Sequence, residues 1–483
     1  MMKKMTRTVS LLMAVSLLFA GCGGGETNND ESVSLDTIET ETEIQTETVL
    51  VPDLPEVTYD GADFRIMYRN GSHAYNVTDV WVEALTGEII NDSVYNRNLE
   101  VEEKLNVKIV PMAEKSPVSH IKKNVQAGED YCEVLSERMF ELYPVTLENY
   151  LYNWYDIEYV DFEKPWWDGN AAQELTLGDK LYMVSGNFSI SSSSLAIYLY
   201  FNKDLLVNYG FELPYDLAFD GKWTVDRMQE MITAVGEDLD GDGKMGINDQ
   251  FGMLVQVPYR MTAGFGIKFT ERDEDNYPVL APLSEYMVDA LAVIASIMND
   301  KENTIHYDEL SKGQDISGFP HLYAFCRSKF VSDQILFFEG GMSSAAELTE
   351  MESAYGVLPM PKYDESQERY YHVVDEYSNG WSIPGSSKNT EMTGVVLEYM
   401  SYASDELLDA TYEVTLKKKR MDAPDDAAVL DLVRSTTWYE FTFVANAGVW
   451  QMLVSAMNNN SLASEYAANE KSISAKLDAC RPE

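Results

Sequence analysis

The stretch Asp63-Phe64-Arg65-Ile66-Met67-Tyr68-Arg69 alternates polar and apolar side chains, which is the pattern of a half-buried β-strand. A polar loop follows, and Asn91 or Asp92 can cap a helix that runs to Leu105. Val107–Val110 is again strand-like. A strand, a helix and a second strand in this order form the unit of a parallel sheet covered by helices. This opening therefore predicts the α/β class.

The same alternation of strands and helices continues along the chain. Leu195–Phe201 is strongly strand-forming, and Asp226–Val235 has a helical pattern. The sequence is 45% hydrophobic and 12% aromatic, and the part from about Tyr59 onward is long enough to fill two cores. We therefore predict an α/β protein of two lobes. Later strands are predicted at Gln334–Phe338, Gly356–Leu358 and Gly380–Ile383, and later helices at Glu391–Ala403 and Ala427–Val433.

The N-terminus has the layout of a secretory signal peptide. A basic start is followed by the apolar run Val9–Ala20, which would span only about 18 Å as a helix, less than a hydrocarbon layer of about 30 Å. The ending Leu18–Cys22 resembles the bacterial lipobox, in which the cysteine becomes a lipid-bearing N-terminus. The alternative is an ordinary signal peptide with a chance cysteine. We predict a signal peptide over 1–21, lipidation of Cys22, and an extracytoplasmic chain held at the cell membrane by this anchor.

An acidic, threonine-rich segment separates the predicted anchor from the folded part. It begins with Gly23–Gly25 and contains no Lys or Arg between Thr8 and Phe64. Such a composition buries too little apolar surface to offset the entropy of ordering. Residues 22–58 are therefore predicted to be a disordered linker.

Charge limits the partners. The formal net charge is −44, which disfavours nucleic acid and anionic lipid because both would be repelled. A neutral or a cationic ligand suits this charge better. The three cysteines after Cys22, which are Cys132, Cys326 and Cys480, show no metal-site or C-x-x-C spacing. One disulfide is possible among them, but the favoured interpretation is free thiols.

Residues 238–249 have the spacing of a calcium-binding loop. Carboxylates stand at positions 1, 3, 5 and 12, with glycine at position 6 where the chain must turn sharply. No second loop is present, so a structural Ca²⁺ is predicted rather than a regulatory sensor. The alternative is an acidic turn that binds no metal. The predicted ligands are Asp238, Asp240, Asp242, the Lys244 carbonyl and Asp249.

Several separate stretches resemble one family. They read YFNKDLL at 200–206, GKWT at 221–224, KPWWD at 164–168, GDKLY at 178–182 and YGVLPMPKY at 355–363. In this order and spacing they are similar to extracellular solute-binding proteins of ABC-type importers, in the broad group that includes sugar binders. The aspartate-rich loop that ends in DQFG at 249–252 also resembles an element of that family.

The resemblance implies a type II periplasmic-binding-protein fold, in which two α/β lobes joined by crossover hinge strands close over a ligand. Lobe 1 would comprise 59–197 and 336–404, and lobe 2 would comprise 198–335 and 405–483. The implied function is capture of a neutral carbohydrate, an oligosaccharide, by a monomer that delivers it to ABC permease subunits. A peptide or a polyamine is the alternative solute for the same architecture.

Sugars present apolar faces and hydroxyl edges, so a sugar site needs aromatic platforms beside polar side chains. The predicted platforms are Trp81, Trp166, Trp167 and Trp381, of which family position favours Trp381. For the adjacent pair, one side chain inside and one outside is expected. The alternative for each tryptophan is core packing, and for each polar candidate a solvated loop. The polar candidates are Asn187, Tyr259, Arg260, Asp375 and Glu376.

A lipid-anchored surface enzyme acting on carbohydrate is the less favoured reading. The sequence has no H-E-x-x-H, no G-x-S-x-G and no phosphate-binding loop, and its five histidines form no ligand-spaced pair. A passive adhesin that uses the calcium loop would not need the crossover segments. The sequence therefore predicts a binding protein without catalytic residues.

Overall fold

The computed structural model describes residues 50–70, 79–257, 259–417 and 424–481. The predicted signal peptide (1–21), Cys22 and most of the predicted linker (22–58) lie outside the described residues. Within the described ranges, no helix combines the length and the apolar character needed to cross a bilayer.

The strands are given first. They are β1 (Ala62–Arg69), β2 (Val107–Glu114), β3 (Val134–Arg138), β4 (Tyr198–Asn202), β5 (Phe251–Val255), β6 (Thr270–Arg272), β7 (Pro278–Leu280), β8 (Thr304–His306), β9 (Ile335–Gly340), β10 (Tyr355–Leu358), β11 (His372–Val373), β12 (Asn379–Ser382) and β13 (Thr437–Trp438).

The α-helices lie between and after these strands, with short 3₁₀ helices at Trp154–Asp156 and Met342–Leu348. They are α1 (Ile89–Leu105), α2 (Pro117–Ala127), α3 (Met139–Leu147), α4 (Gly169–Leu175), α5 (Ile190–Ser194), α6 (Lys203–Asn208), α7 (Tyr215–Phe219), α8 (Val225–Val235), α9 (Arg260–Gly264), α10 (Glu285–Met298), α11 (Tyr307–Ser311), α12 (Leu322–Val331), α13 (Thr390–Tyr402), α14 (Asp405–Lys417), α15 (Pro424–Ser435), α16 (Phe441–Val444), α17 (Val449–Asn459) and α18 (Leu462–Asp478).

The first lobe is built on a four-stranded sheet in the order β12-β3-β1-β2. Strands β1 and β2 are parallel from the pair Ala62–Val107 to the pair Arg69–Glu114, and helix α1 connects them. The predicted strand–helix–strand opening is therefore confirmed. Helix α1 begins at Ile89, slightly before the predicted cap, and Asp92 instead accepts the backbone N–H groups of Thr86 and Gly87.

The second lobe is built on a five-stranded mixed sheet in the order β10-β4-β9-β5-β8. Its middle is aromatic, because Tyr200 of β4 stacks on Phe338 of β9 with ring centroids 4.8 Å apart. The predicted return to lobe 1 at residue 336 is corrected here. Both β9 and β10 hydrogen-bond to β4, so the second sheet extends to Leu358.

Three chain segments run side by side between the two sheets, and we call them the hinge segments. The Ile197 N–H donates to the Val373 carbonyl at 3.0 Å, and the Asp375 N–H donates to the Leu195 carbonyl at 3.1 Å. The Val374 N–H donates to the carbonyl of Trp438 at 2.9 Å, which adds the third segment. The predicted two-lobed α/β fold with crossover hinge strands is confirmed.

Two stretches that resemble the family lie against each other in the second lobe. The Trp223 indole N–H donates to the Pro359 carbonyl at 2.9 Å, and the Val225 N–H donates to the Lys362 carbonyl at 2.8 Å. Trp223 has no exposed surface. The motifs GKWT and YGVLPMPKY are thus structural partners in one core.

A buried carboxylate attaches helix α15 to the second sheet. Asp426 accepts from the Lys203 ammonium at 2.7 Å, from the Tyr215 hydroxyl at 2.6 Å and from the Val357 N–H at 3.0 Å. Burial of a carboxyl group is tolerated when its oxygens are paired in this way. The preceding helix, α14, packs instead on α1 of the first lobe, although residues 405–483 were assigned to lobe 2.

The three cysteines in the described part of the chain form no disulfide. Cys132 and Cys326 are buried free thiols and Cys480 is a half-buried one, in agreement with the favoured interpretation. Burial raises the pKa of the Cys132 thiol to about 12, so this thiol is neutral and unreactive.

Candidate functional site

The segment Asp375-Glu376-Tyr377 follows β11 in one of the hinge segments and contacts both lobes. Asp375 and Glu376 bond to Arg260 and Tyr259, which come a few residues after β5 of the second lobe. Tyr377 lies against residues at the end of β3 and the start of α3 in the first lobe. In open α/β sheets, ligands bind outside the carboxyl ends of strands. We therefore take this segment and its neighbours as the candidate site.

Arg260 and Asp375 form an ion pair between the second lobe and the hinge. Arg260 begins helix α9, and its side chain is 16% exposed, while that of Asp375 is 7% exposed. Burial alone would lower the pKa of Arg260, but the Asp375 carboxylate raises it above its ordinary value. The other Asp375 oxygen accepts the Tyr377 N–H at 3.0 Å. This pair fixes the conformation of the segment.

Glu376 and Tyr259 form the second contact between hinge and second lobe. The Tyr259 hydroxyl donates to Glu376 Oε1 at 3.4 Å. Burial, and then repulsion by Asp375, raise the pKa of Glu376 to about 7. The Tyr259 ring packs on Phe443 at 4.8 Å and lies 6.3 Å from Trp450 at the start of α17. Trp450 is 37% exposed and so presents an indole surface to solvent.

The first lobe contributes an aromatic and charged edge to the site. The Arg138 guanidinium lies 5.2 Å from the Tyr377 ring centroid, and Phe140 packs on the same ring at 4.9 Å. Tyr377 remains 44% exposed. Nearby, Arg69 donates to the buried Glu137 carboxylate at 2.6 Å. Burial raises the pKa of Glu137 despite this bond.

The arrangement suits binding of a solute with apolar faces and polar edges. Tyr377 and Trp450 offer flat apolar surfaces, and the carboxylates and guanidinium groups offer hydrogen-bonding partners. Among the described residues of this site there is no Ser–His or Cys–His pair that would act as an activated nucleophile.

Four of the predicted ligand-binding residues meet at this site: Tyr259, Arg260, Asp375 and Glu376. Their contact with a solute stays a prediction. Sequence reasoning missed Tyr377, although it follows two predicted residues directly. It also missed Trp450 and Phe443, which come from the C-terminal helices and carry no local signal of their position beside Tyr259.

The structure buries three of the predicted tryptophan platforms, which are Trp381, Trp166 and Trp167. Trp167 also lines a cavity together with Asn187, so its contact with a solute stays a prediction. Trp381 lies in β12 with no exposed surface and packs on Phe188 at 4.6 Å. The indole N–H groups of Trp166 and Trp167 donate to the two oxygens of Glu398 at 2.9 and 2.7 Å inside the first lobe. One carboxylate thus holds both side chains, so the expectation of one inside and one outside was wrong.

The two remaining candidates lie elsewhere. Trp81 is half-buried against the core of the molecule. The Asn187 side-chain amide donates to Asp405 Oδ1 at 2.8 Å, which ties the segment before α5 to the start of α14. Neither has a described contact with the segment 375–377.

The predicted calcium loop brings three carboxylates together. Carboxylate oxygens of Asp238, Asp240 and Asp242 lie within 4.8 Å of one another, a donor set that fits a hard cation. Asp249 is buried, and its two oxygens accept the N–H groups of Leu239 at 2.9 Å and Gly246 at 2.6 Å. Calcium itself, and ligation by Asp249 and by the Lys244 carbonyl, stay predictions.

The two α/β lobes, the hinge segments and the site at their junction define the periplasmic-binding-protein class of fold. Solved structures of that class are similar to the chain. A cyclo/maltodextrin-binding protein complexed with maltotetraose has a TM-score of 0.55 at 15% identity, covering 87% of this chain and 96% of its own.

Two further structures show the same likeness. UspC from M. tuberculosis has a TM-score of 0.54 at 12% identity, covering 86% of this chain and 100% of its own. The apo form of RafE from Streptococcus pneumoniae has a TM-score of 0.53 at 12% identity, covering 88% and 99%. Neither a protein-family model nor a curated protein matches the chain. At these identities the likeness establishes the fold.

Proposed function

We propose that this protein is the solute-binding component of an ABC importer and captures an oligosaccharide between its two lobes. The observation that carries the proposal is the segment 375–377, whose side chains contact both lobes. The exposed rings of Tyr377, in this segment, and of Trp450 lie at the same site. A solute bound there touches the hinge and both lobes at once. A structural neighbour holding maltotetraose supports the carbohydrate class.

The physical case rests on the mixed surface of the site. Pyranose rings have C–H faces that pack on aromatic rings, and Tyr377 and Trp450 are the exposed rings. Their hydroxyl edges need donors and acceptors, which Arg260, Asp375 and Glu376 can supply.

The proposal extends to the cellular setting. Anchoring through Cys22, an extracytoplasmic location, a monomeric state and delivery to permease subunits all follow from the sequence patterns and from the importer class. The net charge of −44 keeps such a chain away from anionic headgroups despite its anchor. We also propose a structural Ca²⁺ in the loop 238–249, supported by its three converging carboxylates.

A binding screen tests the function. The purified protein is melted with a panel of neutral mono- and oligosaccharides, peptides and polyamines, and hits are measured by titration calorimetry. We expect oligosaccharides to raise the melting temperature by mass action. The sugar is recovered unchanged by chromatography if the protein is a binder, whereas cleavage would establish an enzyme.

Two variants link binding to the site. Tyr377→Ala should weaken binding, while Tyr155→Ala, which truncates a similarly exposed ring elsewhere in the first lobe, should not. A panel in which peptides or polyamines bind and no sugar does would refute the carbohydrate assignment.

A further inference from the structure

The charges at the site do not balance. Asp375 is paired with Arg260, and Glu137 is paired with Arg69. Glu376 has no such partner: among the described residues, no lysine, arginine or histidine lies within ion-pair distance of it. Its contact is the Tyr259 hydroxyl at 3.4 Å, which is long for a hydrogen bond to a carboxylate. Glu376 is therefore a carboxylate of the site with no ion-pair partner, and Arg260, which lies beyond ion-pair distance, opposes the rise of its pKa only in part.

The surroundings of Glu376 make its negative charge costly. It is half-buried and stands next to the carboxylate of Asp375, and together burial and this neighbour raise its pKa to about 7. A solute hydroxyl can donate to Glu376, but it leaves the charge uncompensated. The attraction of a positively charged group offsets part of the cost of burial and of repulsion by Asp375.

The aromatic rings around Glu376 also favour a cation. Rings of tyrosine and tryptophan attract positive charge over their faces. The Tyr377 ring is already engaged in this way by the Arg138 guanidinium, 5.2 Å from its centroid, and so adds little for a second cation. Tyr259 and Trp450 supply two further rings on the second-lobe side of the site.

We propose that the solute is an oligosaccharide carrying a protonated amine, and that Glu376 binds this amine at the hinge. The proposal rests on the proposed function and narrows its substrate class from carbohydrate to amino sugar. The net charge of −44 is compatible with a neutral or a cationic solute. Glu376, which has no ion-pair partner, favours the cationic solute.

The size of the effect follows from hydrogen-bond strengths. A hydrogen bond between two charged groups is roughly twice as strong as a neutral one, and the difference corresponds to about a tenfold change in affinity. An amino sugar should therefore bind about tenfold more tightly than its uncharged counterpart.

A matched pair of ligands tests this. The purified protein is titrated at neutral pH, where Glu376, with a pKa of about 7, is still partly ionised and the sugar amines are still partly protonated. The ligands are a glucosamine trisaccharide that has free amines and the same trisaccharide fully N-acetylated. Maltotriose is the second neutral sugar. We expect the free-amine sugar to bind most tightly, and its advantage to shrink as salt is added.

Variants assign the preference to one residue. Glu376→Gln should abolish the preference, so that the free-amine and the neutral trisaccharides bind with nearly equal affinity. Glu103→Gln removes the same charge from an exposed position on α1 and should leave the preference intact. Glu376→Asp keeps the charge and should keep part of the preference, which serves as a second reading if the glutamine variant folds poorly.

The failures are distinguishable. Equal binding of the charged and neutral trisaccharides, with no effect of Glu376→Gln, would overturn the amino-sugar proposal and leave the carbohydrate function standing. Binding of spermidine with no binding of any of the three sugars would overturn the carbohydrate assignment on which this proposal rests.

Discussion

The ion pair between Arg260 and Asp375 provides the sharpest quantitative test of the site. Both side chains are largely buried, at 16% and 7% exposed, and the pair joins helix α9 of the second lobe to the hinge. Arg260→Met keeps the aliphatic part of the side chain but removes its charge. The variant leaves Asp375 buried beside Glu376 with no cation to offset two carboxylates.

Removal of one partner from a buried ion pair costs about 3–5 kcal/mol. The compact unit of the chain spans Val51–Glu483. At about 2.1 cal/mol/K of unfolding entropy per residue, a unit of this length has an unfolding entropy of about 0.9 kcal/mol/K. If it unfolds in one transition, Arg260→Met should therefore lower the melting temperature by about 3–6 °C.

Differential scanning calorimetry of a double-mutant cycle measures the effect. Arg260→Met combined with Asp375→Asn should recover more than half of the loss, because the uncompensated carboxylate is gone. Arg227→Met is the matched control, since its pair with Glu230 is exposed on both sides and should contribute less than about 1 kcal/mol. A loss below about 1 °C for Arg260→Met, or additive single effects, would refute the reasoning.

Three further predictions concern separate parts of the molecule. Trp450→Ala should weaken sugar binding about tenfold in calorimetry, whereas Trp381→Phe, at a fully buried ring, should change it less than about twofold; equal losses would contradict the placement of the site. A chelator should lower the melting temperature of the wild type but not of Asp240→Ala, and identical melting with and without chelator would argue against bound calcium. Burial lowers the pKa of His372 from 6.5 to about 3. Between these two pH values the unfolded chain binds more protons than the folded protein, so the free energy of unfolding decreases as the pH falls from 6.5 toward about 3. His372→Gln should therefore lose less stability between about pH 7 and about pH 4 in denaturant titrations than the wild type does, and an unchanged pH dependence would show that His372 does not cause the loss.

Local patterns predicted the parts of the structure that depend on local forces. The strand at 63–69 and the helix before Leu105 are visible in sequence because their apolar residues are buried in the first lobe. Ile66, Met67 and Tyr68 are buried in succession, so β1 is covered on both faces and is not the half-buried strand that its pattern predicted. Tyr259 and Arg260 were found because they follow shortly after a buried strand, and strand ends converge at ligand sites in α/β proteins.

Contacts between distant parts of the chain decided what the sequence could not predict. Trp166 and Trp167 are buried because Glu398, more than two hundred residues later, accepts from both indoles. The extent of the second sheet depends on the antiparallel pairing of β10 with β4, which no single segment specifies. Trp450 reaches Tyr259 only through the packing of the C-terminal helices.

The three hinge segments have a mechanical consequence. They are hydrogen-bonded to one another through Leu195, Val373, Val374 and Trp438, so the lobes are connected by a narrow ribbon instead of a single strand. A hydrogen-bonded ribbon bends easily out of its own plane, but its strands do not slide easily past one another because the hydrogen bonds between them would break. We therefore expect the lobes to rotate mainly about one axis. If the protein captures and releases a solute as proposed, each cycle would return the lobes to the same relative alignment. A transporter that docks to both lobes would thus encounter one well-defined shape.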